Sequence, residues 1–290
     1  MNLKSDCLSC LLNQSLRVAK NLNLDEETSK SMMKVASASI GAYGEVSPPV
    51  AAADLYPKLA SFTNSNDVYK ELKELSTKEA LKLLPSVAKK VHNVSTAIKA
   101  AVAGNVIDFA TPNHFDLNTE FEKVFETAFA IDDEALFIEC LKESKSFMII
   151  GDNVGEHVFD KLLLESIAKT YPNLKLYYAV RGYPIINDVT LLEAKELAME
   201  EVATVVDSGV ITPGLAYEYA SKEFMELYNS MDLIVAKGMG NYECLEGVKD
   251  KRIFHLFKVK CDVVANDVGE ALGSLIFMQN KSVNSESMYN

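Results

Sequence analysis

The chain has no long apolar run, no surplus of positive charge and no regular cysteine framework, and each absence removes a class of protein. No stretch approaches the roughly 18 apolar residues that a membrane-spanning helix needs. The opening "MNLKSDCLSC" lacks the apolar centre of a secretory signal peptide. Net charge is -12, so general nucleic-acid binding, which needs a positive footprint against phosphates, is not expected. Five cysteines at uneven spacing do not read as a disulfide set. The expectation is a reduced, cytoplasmic protein with neither membrane nor nucleic acid as partner. Familiar catalytic signatures are missing as well: there is no GxSxG elbow, no HExxH pair and no Walker spacing.

What is present is ordinary globular material: 290 residues, 48% hydrophobic and 24% charged, enough for one large domain or two. Helix-period patterns fill the first hundred residues, from "CLLNQSLRVAKNL" to "STAIKAAVAGNVIDFA", and Pro48-Pro49 is expected to interrupt them. Leu81, Leu83, Leu84 and Val87 read as core. From about residue 120 short apolar runs alternate with amphipathic stretches. "SFMIIGD", "LKLYYAVRG", "ATVVDSG", "DLIVAKGMG" and "RIFHLF" read as strands, with a polar turn after the fourth. Continuous apolar strands separated by helices predict an α/β fold, with a parallel sheet covered by helices on both faces. The predicted organisation is a helical domain over 1–115, an α/β domain over 116–280 and a loose tail over 281–290.

Polar residues fall where these strands end. Asp152 and Asn153 follow the first, Arg181 the second with Asn187 and Asp188 just beyond, Asp207 and Ser208 the third, Lys237 and Gly238 the fourth. In an open parallel sheet all such ends share one edge, where ligands bind. Asp152, Asn153 and Asp188 offer only oxygen, the preference of Mg²⁺ or Mn²⁺. Two carboxylates about 4 Å apart repel by roughly 4 kcal/mol at an effective dielectric near 20, and a divalent cation between them reverses the sign. In "KGMGN" Lys237 supplies a cation, while Gly238 and Gly240 let backbone N–H groups approach a phosphate. Each residue also has a plainer reading. Asp152 can cap the following helix, Asp207 can close a turn, and Arg181 can pair with a surface acid. Cys7 and Cys10, as CxxC at a helix entrance, admit a zinc site, a redox pair or a structural role. His157 lies one turn into the helix after Asp152 and reads as a helix-face residue.

The blocks "GDNVGEHVFDK", "VRGYPIINDVT", "VVDSG" and "AKGMGNYECL", in this order, resemble the damage-control phosphatase family, formerly a domain of unknown function. "CLSC", "AGNVIDFA" and "KCDVVANDVGEALGSLIF" extend the likeness over most of the chain, and the CxxC is similar to the stand-alone microbial branch. The resemblance implies a helical N-terminal bundle packed on a Rossmann-like, mostly parallel sheet. It implies a Mg²⁺ or Mn²⁺ ion, with Ni²⁺ or Co²⁺ as substitutes, on Asp152, Asn153 and Asp188. Lys237, Gly238 and Asn241 are implied to line the phosphate pocket with Ser208, and Asn105 and Asp108 to approach it from the helical side.

The expected function is hydrolysis of phosphate esters of small metabolites, sugar phosphates or damaged phosphometabolites, by metal-activated water, with Lys237 neutralising the phosphoryl oxygens. A covalent route through Asp152 is disfavoured, because the place of a second acid two residues on holds Val154. The alternatives are a metal- and phosphometabolite-binding protein without turnover, and a carboxyl methyltransferase using adenosylmethionine. Against the latter, "GDNVGE" puts acid and amide where such an enzyme usually carries a glycine-rich turn.

Overall fold

The computed structural model describes residues 1–63, 65–106 and 117–280. The expected domain boundary and the expected tail lie outside the described residues. Five helices come first: α1 (Ser5–Asn21), α2 (Glu26–Ala42), α3 (Pro48–Ala60), α4 (Lys70–Ala88) and α5 (Val94–Val106). Then follow α6 (Leu117–Glu126), β1 (Phe129–Asp132), α7 (Glu134–Glu143), β2 (Ser146–Ile150), α8 (Glu156–Thr170), β3 (Lys175–Val180), α9 (Leu191–Glu196) and β4 (Thr204–Asp207). The chain continues through α10 (Lys222–Asn229), β5 (Leu233–Lys237), α11 (Gly238–Leu245), β6 (Ile253–Lys258), α12 (Asp262–Val268) and β7 (Leu275–Gln279). No helix among the described residues is long and apolar enough to cross a membrane.

Local chemistry sets the helix starts. Asp25 caps α2 by accepting from the backbone N–H groups of Glu27 and Thr28. Pro48 and Pro49 begin α3 behind the Ser47 cap instead of interrupting a helix, because the first turn has no use for their missing N–H groups. Leu83 and Val87 of α4 are core, whereas Leu81 is 43% exposed on its far side.

The seven strands lie in the order β1-β7-β6-β5-β2-β3-β4, all pairs parallel except β6 with β7. The five expected strands are β2 to β6; β1 and β7 are additions at one side. Every residue of β2 and β5 is buried, and alternate residues serve opposite faces. Phe147, Ile149, Tyr178 and Val235 pack with α4, α5 and α8 on one side. Met148, Ile150, Ala179 and Ile234 pack with Phe224 and Tyr228 of α10 and Leu245 of α11 on the other. Each Phe, Ile, Leu, Val or Met among them contributes about 1.5–3 kcal/mol on full burial. Helices α4 and α5 thus share the sheet's own core, while α1, α2 and α3 form a separate cluster that reaches the sheet side through Ile185. The predicted polar turn after β5 is instead α11, whose Asn241 and Leu245, one turn apart, both face inward.

The chain leaves β2 toward β3 on one side, and β5 returns on the other. That divergence opens a crevice at the C-terminal ends of β2 and β5, the usual ligand position in such sheets.

Candidate active site at the C-terminal edge of the sheet

Pairing with β3 continues one residue past β2, where Gly151 N–H donates to the Ala179 carbonyl at 2.9 Å. Asp152 is therefore delivered just beyond the edge of the sheet. A return segment then runs beside it: Val154 N–H donates to the Asn187 carbonyl, and Val189 N–H to the Asp152 carbonyl. Isolated bridges join Asn153 to Asp188 and Arg181 to Thr190. The end of β2, the end of β3 and the return segment just after it are stitched together by backbone hydrogen bonds, and the predicted trio of oxygen-bearing residues meets at one place.

Helix α5 closes the site from the helical half. Gly104 makes this approach possible, since a Cβ there would stand 3.0 Å from the Phe159 ring and 3.1 Å from the Glu156 backbone of α8. Asn105 then donates from Nδ2 to Asp152 Oδ2 at 3.2 Å and to Glu156 Oε1 at 2.9 Å, while its Oδ1 accepts from Lys258 N–H. Asn153 Nδ2 donates to the same two carboxylates, at 2.8 and 2.7 Å. The amide hydrogens of both asparagines are consumed. Asn105 acts as a clamp, and Asn153 keeps Oδ1 as its available ligand atom. Asp152 does not cap a helix: α8 begins behind Gly155 without a side-chain cap.

Arg181 is 1% exposed. Its Nε donates to Asp188 Oδ2 at 2.8 Å, and its Nη2 lies 4.0 Å from Asp152 Oδ1. Neither Nη1 nor Nη2 has a hydrogen-bond partner among the described residues, although both are buried. Unpaired guanidinium nitrogens inside a protein are costly, and they point to an anion as their missing partner. The carboxylates are crowded too. Burial, then the Glu156 and Asp188 charges, push the Asp152 carboxyl well above the ordinary range, with Arg181 and Lys260 pulling it back. Burial pushes Asp188 up to about 6, against the lowering effect of Arg181.

Several predicted phosphate contacts are engaged elsewhere. Lys237, read as the cation on the phosphoryl oxygens, is fully buried with Nζ donating to Asp160 Oδ1 at 2.6 Å and to the Ala101 carbonyl at 3.0 Å. Glu156 Oε2 lies 3.5 Å from the same Nζ. Two hydrogen bonds and an ion pair thus tie Lys237 to Asp160, the Ala101 carbonyl and Glu156, and it braces those two acids. Asn241 spends Nδ2 on the Lys237 and Gly151 carbonyls and Oδ1 on Leu215 N–H. Ser208 Oγ donates to the Val180 carbonyl at 2.6 Å. Gly240 packs against the Pro213 carbonyl, where a Cβ has no room. These three hold the loops together. Asp207 closes its own turn by accepting from Gly209 N–H. Asp108 lies outside the described residues.

Gly238 does belong to the site. It has φ +74, and a Cβ there would overlap the Asp152 carboxylate. Gly238→Ala is expected to displace that carboxylate, and a loss of metal-dependent Tm gain with little change in far-UV circular dichroism is the check.

Two charged residues were not anticipated. Glu156 closes the "GDNVGE" block four residues after Asp152, a spacing that could have flagged it. Lys260 is exposed, and its charge acts on Asp152; it stands in the late "KCD" stretch. His157 lies on α8 as expected, on a face that is fully buried, with Nδ1 accepting from Gly155 N–H. All five cysteines are free, and burial raises the Cys7 thiol, the opposite of an activated thiolate. Among the described residues no three His, Cys, Asp or Glu side chains are grouped to hold a metal. An ion at the sheet edge would therefore need the Asn153 amide oxygen beside the two aspartates, a donor set that suits a hard divalent cation.

A family model described as the damage-control phosphatase ARMT1-like domain matches residues 3–276. The chain is 34% identical over 285 residues to a damage-control phosphatase of Pyrococcus horikoshii, covering 97% of this chain and 99% of that one. It is 31% identical over 291 residues to a damage-control phosphatase of Archaeoglobus fulgidus, covering 95% and 98%. The crystal structure of a DUF89 family protein from Pyrococcus horikoshii superposes with a TM-score of 0.90 at 34% identity, covering 97% of this chain and all of that one. On this match, spanning nearly its whole length, the chain belongs to the damage-control phosphatase ARMT1-like family.

Proposed function

We propose that the protein is a metal-dependent phosphomonoesterase acting on small phosphorylated metabolites. A divalent ion, Mg²⁺ or Mn²⁺ first and Ni²⁺ or Co²⁺ as substitutes, would be held by Asp152, Asn153 and Asp188. The observation that carries the reading is the buried Arg181 guanidinium, flanked by two carboxylates, with two nitrogens unpartnered among the described residues. When bound, the ion supplies neutralisation of the carboxylates and polarisation of the phosphoryl group. Arg181 binds phosphoryl oxygens through Nη1 and Nη2, a fork that matches a phosphate's geometry. Glu156, held by Lys237, fixes the two asparagines that orient Asp152. Exposed Lys260 adds attraction for an anion at the mouth. Val154, 2% exposed and apolar, stands where an aspartyl-phosphate route would want its second acid, which favours water as nucleophile. The names of both archaeal relatives support the phosphatase reading.

The test is phosphate release from a panel of metabolite phosphoesters, with Mg²⁺, Mn²⁺, Co²⁺ and Ni²⁺ supplied separately, beside thermal melts at several pH values. Release is expected only with metal. The metal-induced Tm gain is expected to be full near pH 7.5 and to fade as pH drops through about 6, where Asp188 takes up its proton and the ion must displace it. The sign for the metal-free protein follows from the same shift. Its folded state holds the Asp188 proton more tightly than the unfolded chain, so stability from this group falls as pH rises from about 4 through about 6. Metal binding without turnover on any ester would favour the non-catalytic alternative, and heat on titrating adenosylmethionine would favour the methyltransferase.

A further inference from the structure

Lys73 belongs to α4, in the helical half, yet it connects to the return segment that carries Asp188. It is 2% exposed. Its Nζ donates to Asp67 Oδ2 at 3.0 Å and to Glu193 Oε1 at 3.2 Å. A buried ammonium between two acids is commonly a brace between helices and nothing more. What sets this one apart is the other oxygen of Glu193. Glu193 Oε2 accepts from Thr190 N–H at 2.9 Å and from Thr190 Oγ1 at 2.5 Å, completing the capping box of α9. Thr190 is two residues from Asp188, and between them Val189 is bonded on both sides, to the Asp152 carbonyl and to Arg181 N–H.

The opposite end of the same segment is under strain. Ile186 has φ +45, a region that β-branched residues rarely occupy. Asp188 N–H donates back to the Ile185 carbonyl at 3.0 Å and closes that tight turn. A strained turn persists only where its surroundings restrain it, and the restraint at the far end is the Lys73–Glu193–Thr190 chain. The Lys73 charge also reaches Asp188 and favours its ionised form.

We infer that Lys73 is a positioning residue for Asp188: through Glu193 and Thr190 it holds the 188–190 segment in register beside Asp152, so α4 sets the placement of Asp188 without touching it. The inference rests on the proposed metal site.

The test measures Mn²⁺ affinity by calorimetry and metal-free Tm for the full chain and four variants. Lys73→Met and Glu193→Gln are expected to weaken Mn²⁺ binding about tenfold or more, the usual effect of losing an outer-shell support. Lys73→Arg is expected to keep most of the affinity. Asp67→Asn removes the Lys73 partner that leads away from the site, so it lowers Tm while leaving Mn²⁺ affinity within about twofold. A brace with no positioning role would lower Tm in the same variants and leave affinity unchanged in all of them. Wild-type affinity in both Lys73→Met and Glu193→Gln overturns the inference, as does equal weakening in Asp67→Asn. If Lys73→Met does not fold, Glu193→Gln against Asp67→Asn decides by the same outcomes. Absence of Mn²⁺ binding to the unaltered chain would instead overturn the metal site itself.

Discussion

Asp152→Ala is expected to remove the proposed metal-dependent phosphate release, a loss of about a thousandfold or more, since the several kcal/mol that a metal supplies to a phosphoryl transition state would go with it. The companion variant Asp152→Asn separates chemistry from stability. In the metal-free protein Asp152 is buried against the charges of Glu156 and Asp188, and its carboxyl is held well above its ordinary range. Asparagine carries no charge to desolvate and can still accept from Asn105 and Asn153. Metal-free Asp152→Asn is expected to be more stable near pH 8 by about 1 kcal/mol, a rise in Tm of about 2–4 °C for a chain of this size. It should gain nothing from added Mn²⁺. A variant less active and more stable is the mark of a group kept for function at a cost to the fold. Near-normal turnover in Asp152→Ala would end the proposed function.

Lys237→Met is expected to have the largest effect on stability. Lys237 and Asp160 are both fully buried and 2.6 Å apart, with Glu156 Oε2 at 3.5 Å. Removing the cation leaves two buried acids without a counter-charge, which costs about 3–5 kcal/mol. Tm should fall by about 10 °C. Neutralising the partner as well, in Lys237→Met with Asp160→Asn, should recover part of that loss, the coupling expected of groups in direct contact. A lysine that bound phosphate would behave differently, with KM rising and Tm unchanged. Thermal melts of the single and double variants, set beside KM for one hydrolysed ester, distinguish the two.

Much of this arrangement is legible in the sequence, for a definite reason. A continuous apolar strand has both faces in the core, so a charged residue directly after it cannot continue the strand and must sit at the edge. "SFMIIGD" states this for Asp152, and "LKLYYAVRG" for Arg181. Helical patterns over the first hundred residues, the five strands β2 to β6 and the meeting of Asp152, Asn153 and Asp188 follow from that rule and from the family blocks. The errors share a physical cause. Arg181 and Lys237 occupy the same kind of position, each a cation ending a strand. Only the partners opposite them decide how each is engaged. Lys237 meets Asp160 from α8 and the Ala101 carbonyl from α5, and is bonded to both. Arg181 meets one carboxylate through Nε, and its Nη1 and Nη2 have no hydrogen-bond partner among the described residues. Asn241 and Ser208 are polar residues of the motif blocks that spend their atoms on neighbouring carbonyls. Strands β1 and β7, which pair parallel with each other at one side of the sheet, are not among the five strands expected from the sequence.

By itself the sequence determined the α/β architecture and the sheet edge at which the oxygen-bearing Asp152, Asn153 and Asp188 gather, because hydrophobic period and side-chain type are local properties. Tertiary structure alone decided which cation lacks partners among the described residues, that Glu156 and Asn105 clamp the aspartate, and that a lysine of the helical half reaches the Asp188 segment. Those outcomes depend on which donor faces which acceptor across the core, between residues as much as 153 positions apart, and no local pattern encodes that distance.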